Sequence, residues 1–195
     1  MNLSRFEEET CLSRSELRLL YHHLFNAERY FETGSTGTAR LACEAGVGKI
    51  VAVDTDVDRC HEQISQGALL KYIHCNRLEV RHVDIGETCE LGYPVNPPAR
   101  HRVERLVDQP RDIGFDLALI SGRFRVATAA AAYFGAREGG LVAIRDFAGR
   151  PEYHALREIF QPVAEVEKLT LFERRPGDRS MTALRLRDEH LSDPR

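Results

Sequence analysis

Short apolar runs recur along this chain, and stretches with helical spacing lie between them. The clearest runs are "KIVAVD" at 49–54, "FDLALIS" at 115–121 and "GGLVAIRDF" at 139–147. Ile50, Val51, Ala52 and Val53 follow one another without a polar residue. A strand of that kind has no polar face, so both of its faces must be covered. The covers are at hand in "ARLACEAG", ended by Gly46, in a helix from about Val57 to Lys71, and in the alanine-rich "RFRVATAAAAYFGA". Strand alternating with helix demands a mostly parallel sheet with helices on both faces.

Two further strands are expected at "YFE" and "RLEVRHVDI". A helix over about 13–27 precedes them, capped by Ser13 or Ser15, with Leu17, Leu20, Tyr21 and Leu24 at helical spacing. Pro151 opens another helix, "PEYHALREIF", at a position where proline is favoured. "VAEVEKLTLFERR" and "MTALRLR", joined by "PGDR", read as two closing strands that form an antiparallel hairpin at one edge. The expectation is one α/β domain over 1–187, with a seven-stranded sheet and a flexible tail at 188–195. Residues 86–114 carry four prolines and many charges and read as an insertion loop with a short helix near Arg100–Val107. Loops of that length are more often functional than idle.

Composition excludes several classes. Hydrophobic residues at 43% and charged residues at 29% suit a soluble domain with a real core. A net charge of -3 gives no basic field for nucleic acid. Five cysteines with no C-x-x-C suggest reduced thiols rather than a disulfide framework. No apolar run nears the roughly 20 residues that span a bilayer, and "MNLSRFEEET" has no signal-peptide character. The expected setting is cytoplasmic, with neither membrane nor nucleic acid as partner; a homodimer is an allowed assembly.

In an open parallel sheet, ligands bind beyond the carboxyl ends of the strands, where the strand order reverses. Glu32, Gly34, Ser35, Thr36 and Gly37 follow the first strand. Gly34 permits a tight turn, and Gly37 opens a helix whose free N–H groups favour an anionic group. Glu32 is placed to accept hydrogen bonds from an ammonium group or from the loop itself. Asp54, with Thr55 beside it and Asp56 as an alternative, closes the second strand about 20 residues past Gly34. A carboxylate there offers paired acceptors for a ribose. Asp84 and apolar Ile85 follow the third strand and suit an adenine. Ser121, Gly122 and Arg123 follow the fourth, and Asp146 and Phe147 the fifth. Each feature alone has a plain structural reading, since glycine turns are common and a strand-end aspartate is often a helix cap.

Taken in order, "ETGSTG", "VAVDTD" and "VDI" resemble the motifs of the class I S-adenosylmethionine-dependent methyltransferases. The resemblance covers about 28–187, and the closing antiparallel hairpin is a trait of the same family. "HVDIGET", "SGRFRVA" and "RDFAGRPEYH" are similar to segments of a bacterial group of small methyltransferase-like proteins. The resemblance implies a Rossmann-like sandwich, S-adenosylmethionine as cofactor and a small-molecule or sugar-like acceptor. It implies that Glu32 holds the amino group of the methionine part and that Gly34, Ser35, Thr36 and Gly37 line it. It further implies that Asp54 binds the ribose, that Asp84 and Ile85 bind the adenine, and that Ser121 borders the methyl group.

The sequence departs from the family pattern at three places. Thr36 replaces a glycine, Ser121 replaces an acid, and Asp146 is followed by Phe147 rather than asparagine. A hard cation needs several oxygen ligands, so no metal-dependent mechanism is expected. Cys60-His61 and His74-Cys75 lack zinc-site spacing. Asp146, Tyr153 and His154 are the candidates for acid–base work, and Arg123, Arg145 and Arg150, with Arg125, for receiving an acidic substrate. Against this, Arg145 and Arg150 can pair with Asp146 and Glu152 as surface charges, and His154 can be a packing residue. Two other functions stay open: a methyltransferase-like binding or regulatory protein without turnover, and a nicotinamide-dependent oxidoreductase.

Overall fold

Strands with two apolar faces need a layer of helices on each side, and the chain builds both. The computed structural model describes residues 3–34, 37–89 and 92–195. Ser35 and Thr36, the centre of the expected cofactor loop, lie outside the described residues.

The strands are β1 (Arg29–Thr33), β2 (Lys49–Asp54), β3 (Leu78–His82), β4 (Phe115–Ile120), β5 (Ala136–Arg145), β6 (Phe160–Val166) and β7 (Leu169–Arg174). They form one seven-stranded sheet in the order β3-β2-β1-β4-β5-β7-β6. β1 runs parallel to β2 and β4, β2 to β3, and β4 to β5. β7 is antiparallel to both of its neighbours, β5 and β6.

The helices are α1 (Ser4–Thr10), α2 (Arg14–Leu24), α3 (Thr38–Ala45), α4 (Val57–Ser65), α5 (Gly67–His74), α6 (Arg100–Val107), α7 (Arg125–Gly135) and α8 (Ser180–Glu189), with a 3-10 helix at Pro151–Glu158. Alternate strand residues feed two cores. Phe31, Val51, Val53, Ala118 and Ile120 pack beneath α6, α7, α8 and the 3-10 helix. Tyr30, Ile50, Ala52, Leu117 and Leu119 pack beneath α1, α2, α3 and α5. Small side chains let α7 lie close on the sheet: Ala127, Ala129, Ala130 and Ala132 are fully buried. Among the described residues no helix is long and apolar enough to cross a membrane.

Ser13 caps α2. Its hydroxyl accepts from the Glu16 N–H at 3.2 Å, and Glu16 Oε2 accepts from the Ser13 N–H at 2.8 Å. The other oxygen of Glu16 accepts from the Lys168 N–H at 3.0 Å, in the turn between β6 and β7.

Several elements differ from the sequence reading. Both closing strands lie within 160–174, and "MTALRLR" is helical. The hairpin turns at Glu167, which takes a left-handed φ of 53 without glycine's help. Ala183 and Leu186, three residues apart, are the buried face of α8. The 57–71 helix breaks at Gln66, whose backbone is extended (φ -65, ψ 110), and "PEYHALRE" winds as 3-10 helix. A helix also forms at Ser4–Thr10, with Phe6 and Thr10 buried. The chain after Arg187, expected as a flexible tail, docks instead. Leu191 is buried, and the carbonyls of Pro194 and Arg195 accept from the N–H groups of Phe124 and Arg125 at 3.1 and 3.0 Å. Those N–H groups open α7 and would otherwise lack acceptors.

Candidate functional site

The strand order reverses between β1 and β4, because β1 leads to α3 on one face and β4 to α7 on the other. That divergence is where a ligand crevice forms in such sheets. Here the two loops are laced together. The Ser121 N–H and hydroxyl both donate to the Thr33 carbonyl, at 3.2 and 2.8 Å, and the Gly122 N–H approaches Thr33 Oγ1 at 3.3 Å. Gly34, at φ +81, donates to the Val53 carbonyl at 2.9 Å. A Cβ on Gly34 would stand 2.8 Å from Gly122 N and 2.9 Å from Gly122 Cα. Only glycine fits where two backbones come this close.

Glu32 is fully buried at the end of β1. It accepts from the Tyr30 hydroxyl at 3.0 Å and from the Thr38 hydroxyl at the start of α3. Its carboxyl thus ties β1 to the start of α3. Burial pushes its carboxyl up to about 7, against the pull of the Thr38 and Tyr30 hydrogen bonds. Its Oε1 has no hydrogen bond of ordinary geometry among the described residues. Gly37 caps α3 at φ 75, and a Cβ there would meet the Glu9 carbonyl at 3.0 Å, so the end of α1 rests on this loop.

Asp54 is nearly buried, and its Oδ1 accepts from the Asp56 N–H at 2.9 Å. Asp56 is the cap of α4, accepting from Asp58 and Arg59 N–H groups at 2.9 and 3.2 Å. Asp84 is exposed. Its carboxylate accepts from the Gly86 N–H at 2.7 Å and from Arg102 at 2.9–3.0 Å, and these partners, the Gly86 N–H first, hold it below the usual carboxylate range. Ile85 turns into the core with Val83 and Val103. Thr55 faces the insertion: a Cβ on Gly92 would lie 3.2 Å from Thr55 Oγ1. Tyr93, next in the chain, lies under Arg123, whose guanidinium carbon is 3.9 Å from the ring centre. Gly92 and Tyr93 of the insertion thus lie over the mouth between the β2 and β4 loops.

On the β5 side, Arg125 joins the loops. This nearly buried side chain donates to the carbonyls of Ser121 and Gly122 at 2.9 and 3.0 Å, and reaches that of Arg145 at 3.5 Å. Its Nη1 is 3.6 Å from Asp146 Oδ2. Asp146, at φ 62, is partly open to solvent. Tyr153 is fully buried, and its hydroxyl makes no hydrogen bond of ordinary geometry among the described residues. Burial raises its pKa, while the nearby Arg125 and Arg150 charges oppose the rise. His154 leans on Phe147, ring centres 5.2 Å apart, with Nε2 buried. Arg150 sits over the Tyr153 ring at 5.5 Å and within 4.0 Å of Glu152. Arg145 instead reaches the Cys11 carbonyl on the opposite face.

The sheet order, the glycine contact at the β1–β4 reversal and the antiparallel β7 define the architecture. A methyltransferase-like protein from Silicibacter pomeroyi superposes with a TM-score of 0.70 at 20% identity, covering 94% of this chain and 96% of that one. The fold is that of the methyltransferase-like proteins. A methyltransferase from Geobacter sulfurreducens matches with a TM-score of 0.57 at 16% identity, covering 89% and 87% of the two chains. The O-methyltransferase TomG from Streptomyces achromogenes, crystallised in complex with SAM, matches with a TM-score of 0.54 at 14% identity, covering 87% and 84%. No protein-family model matches the sequence, and no curated protein matches it.

The structure gathers Glu32, Gly34, Gly37, Asp54, Thr55, Asp84 and Ser121 at one end of the sheet, with Asp146 beside Arg125. It sends Arg145 elsewhere and buries Tyr153 and the ring nitrogen Nε2 of His154. Arg125, expected with Arg123, Arg145 and Arg150 at the mouth for an acidic substrate, instead donates to backbone carbonyls. Thr33 reads in sequence only as the end of a strand. Their partners lie far away along the chain or on backbone atoms, so no local pattern marks them.

Proposed function

We propose that this protein is an S-adenosylmethionine-dependent methyltransferase acting on a small molecule. The observation that carries the reading is the placement of acids at the ends of the adjacent strands β2 and β3, next to the glycine contact at the strand reversal. The residue types fit the cofactor. Asp54 would accept from ribose hydroxyls and Asp84 from the adenine amino group, and the start of α3 with Glu32 would face the methionine part. Bound there, S-adenosylmethionine supplies an electrophilic methyl group to an acceptor oxygen or nitrogen. Asp146, at the end of β5 and partly open, is the acid placed to take the proton that such an acceptor gives up. Arg125 holds the loops on either side of that position.

Calorimetric titration with S-adenosylhomocysteine tests the reading. Folded wild type binds it, and Asp54→Ala weakens binding at least about tenfold. Absence of heat with folded wild type refutes the proposal. A second reading, ligand binding without turnover, is supported by the buried Tyr153 hydroxyl and His154 Nε2 and by the insertion turn over the mouth. Transfer of labelled methyl to any member of an acceptor panel removes it.

A further inference from the structure

A cavity of about 430 Å³ opens between three segments that the cofactor reading does not use. They are the insertion at 94–100, the start of α7, and the docked segment after α8. Its walls are mostly apolar: Val95, Pro97, Pro98, Phe124, Leu191 and Pro194. Such a volume holds a one- or two-ring molecule.

Its polar groups narrow the ligand. Arg100 and Asp188 line the rim and face each other at 3.6 Å, and Arg100 also meets Glu104 at 2.8 Å. The rim charges are matched, so no free charge calls for a charged ligand. Asn96 and Ser192 are the neutral polar side chains in the lining. They are suited to one hydroxyl or amine.

The chain links the cavity to the site: Phe124 lines the cavity two residues after Gly122, which touches Gly34. Phe124 holds a left-handed backbone (φ 55, ψ 42), unusual for a bulky residue, and its N–H is fixed by the Pro194 carbonyl. Strain of that kind collects at functional sites. The docked terminal segment therefore sets both the cavity wall and the course of the β4–α7 loop.

We propose that this cavity is the acceptor site, and that it takes an uncharged, largely apolar ring compound bearing a hydroxyl or amine. The inference rests on the methyltransferase reading above. The probe is 2-naphthol, followed by saturation-transfer NMR, with naphthalene-2-sulfonate as the charged counterpart. Val95→Trp and Ser192→Trp fill the cavity from exposed positions, so the fold survives, as circular dichroism will verify. Expected are 2-naphthol binding with Kd on the order of 1 mM or tighter, and a loss of about tenfold or more in both variants and for the sulfonate. No binding to wild type, equal binding by both variants, or equal binding of the sulfonate overturns the proposal. S-adenosylhomocysteine titrated into the same samples separates the two readings. Binding retained by the tryptophan variants shows the crevice intact, so their loss of 2-naphthol belongs to the cavity. Wild type that takes 2-naphthol but not S-adenosylhomocysteine overturns the acceptor role through the cofactor reading, and not through the cavity.

Discussion

Replacing Gly34 by alanine tests whether the β1 and β4 loops touch as described. The added Cβ would stand 2.8 Å from Gly122 N, 2.9 Å from Gly122 Cα and 3.1 Å from the Ser121 carbonyl carbon. All three are backbone atoms, so no side-chain rotation relieves the contact. Crowding of that kind costs about 1–3 kcal/mol. The φ of +81 adds about 1 kcal/mol for any residue with a Cβ. Loss of unfolded-state freedom offsets roughly 0.5 kcal/mol. The net is about 1.5–3.5 kcal/mol, or a melting temperature lower by about 3–14 °C for a chain of this size. Gly139 supplies the control. Its φ is +73, but no atom lies within 4 Å of where its Cβ would be. Gly139→Ala should therefore show the backbone effect alone, under about 1 kcal/mol. Urea denaturation of both variants, with m unchanged, isolates the contact. If the two variants lose the same stability, the loops do not meet at Gly34.

Two further outcomes follow from the loop braces. Burial lifts the Glu32 carboxyl from 4.5 to about 7, so the folded protein keeps a proton that the unfolded chain releases across that window. Stability attributable to this group therefore falls as pH rises from about 4.5 to 7 and is flat above it. Relative to Glu32→Gln, wild type should lose up to about 3 kcal/mol between pH 4.5 and 8. A wild-type-minus-variant difference in urea stability that does not change with pH sinks the argument. Arg125→Ala strands carbonyls of both loops and should cost about 2–4 kcal/mol in denaturant titrations, with weaker S-adenosylhomocysteine binding by calorimetry. Arg125→Lys should not restore either property, since one ammonium cannot span acceptors on two loops; full rescue by lysine refutes the bracing role.

The sheet was readable where physics leaves one choice. "IVAV" and "LALI" have no polar face, so they had to lie between two helical layers, and they do. The hairpin lies earlier than the sequence suggests because its turn has no glycine or proline: Glu167 adopts the left-handed conformation itself. "MTALRLR" fits period two and period three alike, and packing on α7 decides for the helix. At the site, the acids and glycines at strand ends could be located from sequence, because each closes an apolar run. Whether an acid points to a ligand or to its own chain could not. Asp84 meets Arg102 from 18 residues away, and Arg145 meets Cys11 across 134. Such pairings follow from tertiary geometry, with nothing nearby in the chain to announce them.

The Glu16 carboxylate closes α2 with one oxygen and the β6–β7 turn with the other, over a separation of 152 residues. During synthesis the first helices therefore emerge long before the acceptor of that second bond has its donor. β1 likewise lies inside the sheet and pairs with β4, made some 90 residues later by the register Tyr30 to Leu117. The Glu16–Lys168 bond and the β1–β4 pairing therefore close only after the chain between their partners has been made. The contact at the strand reversal, Thr33 and Gly34 against Ser121 and Gly122, is thus closed by segments made at well-separated times.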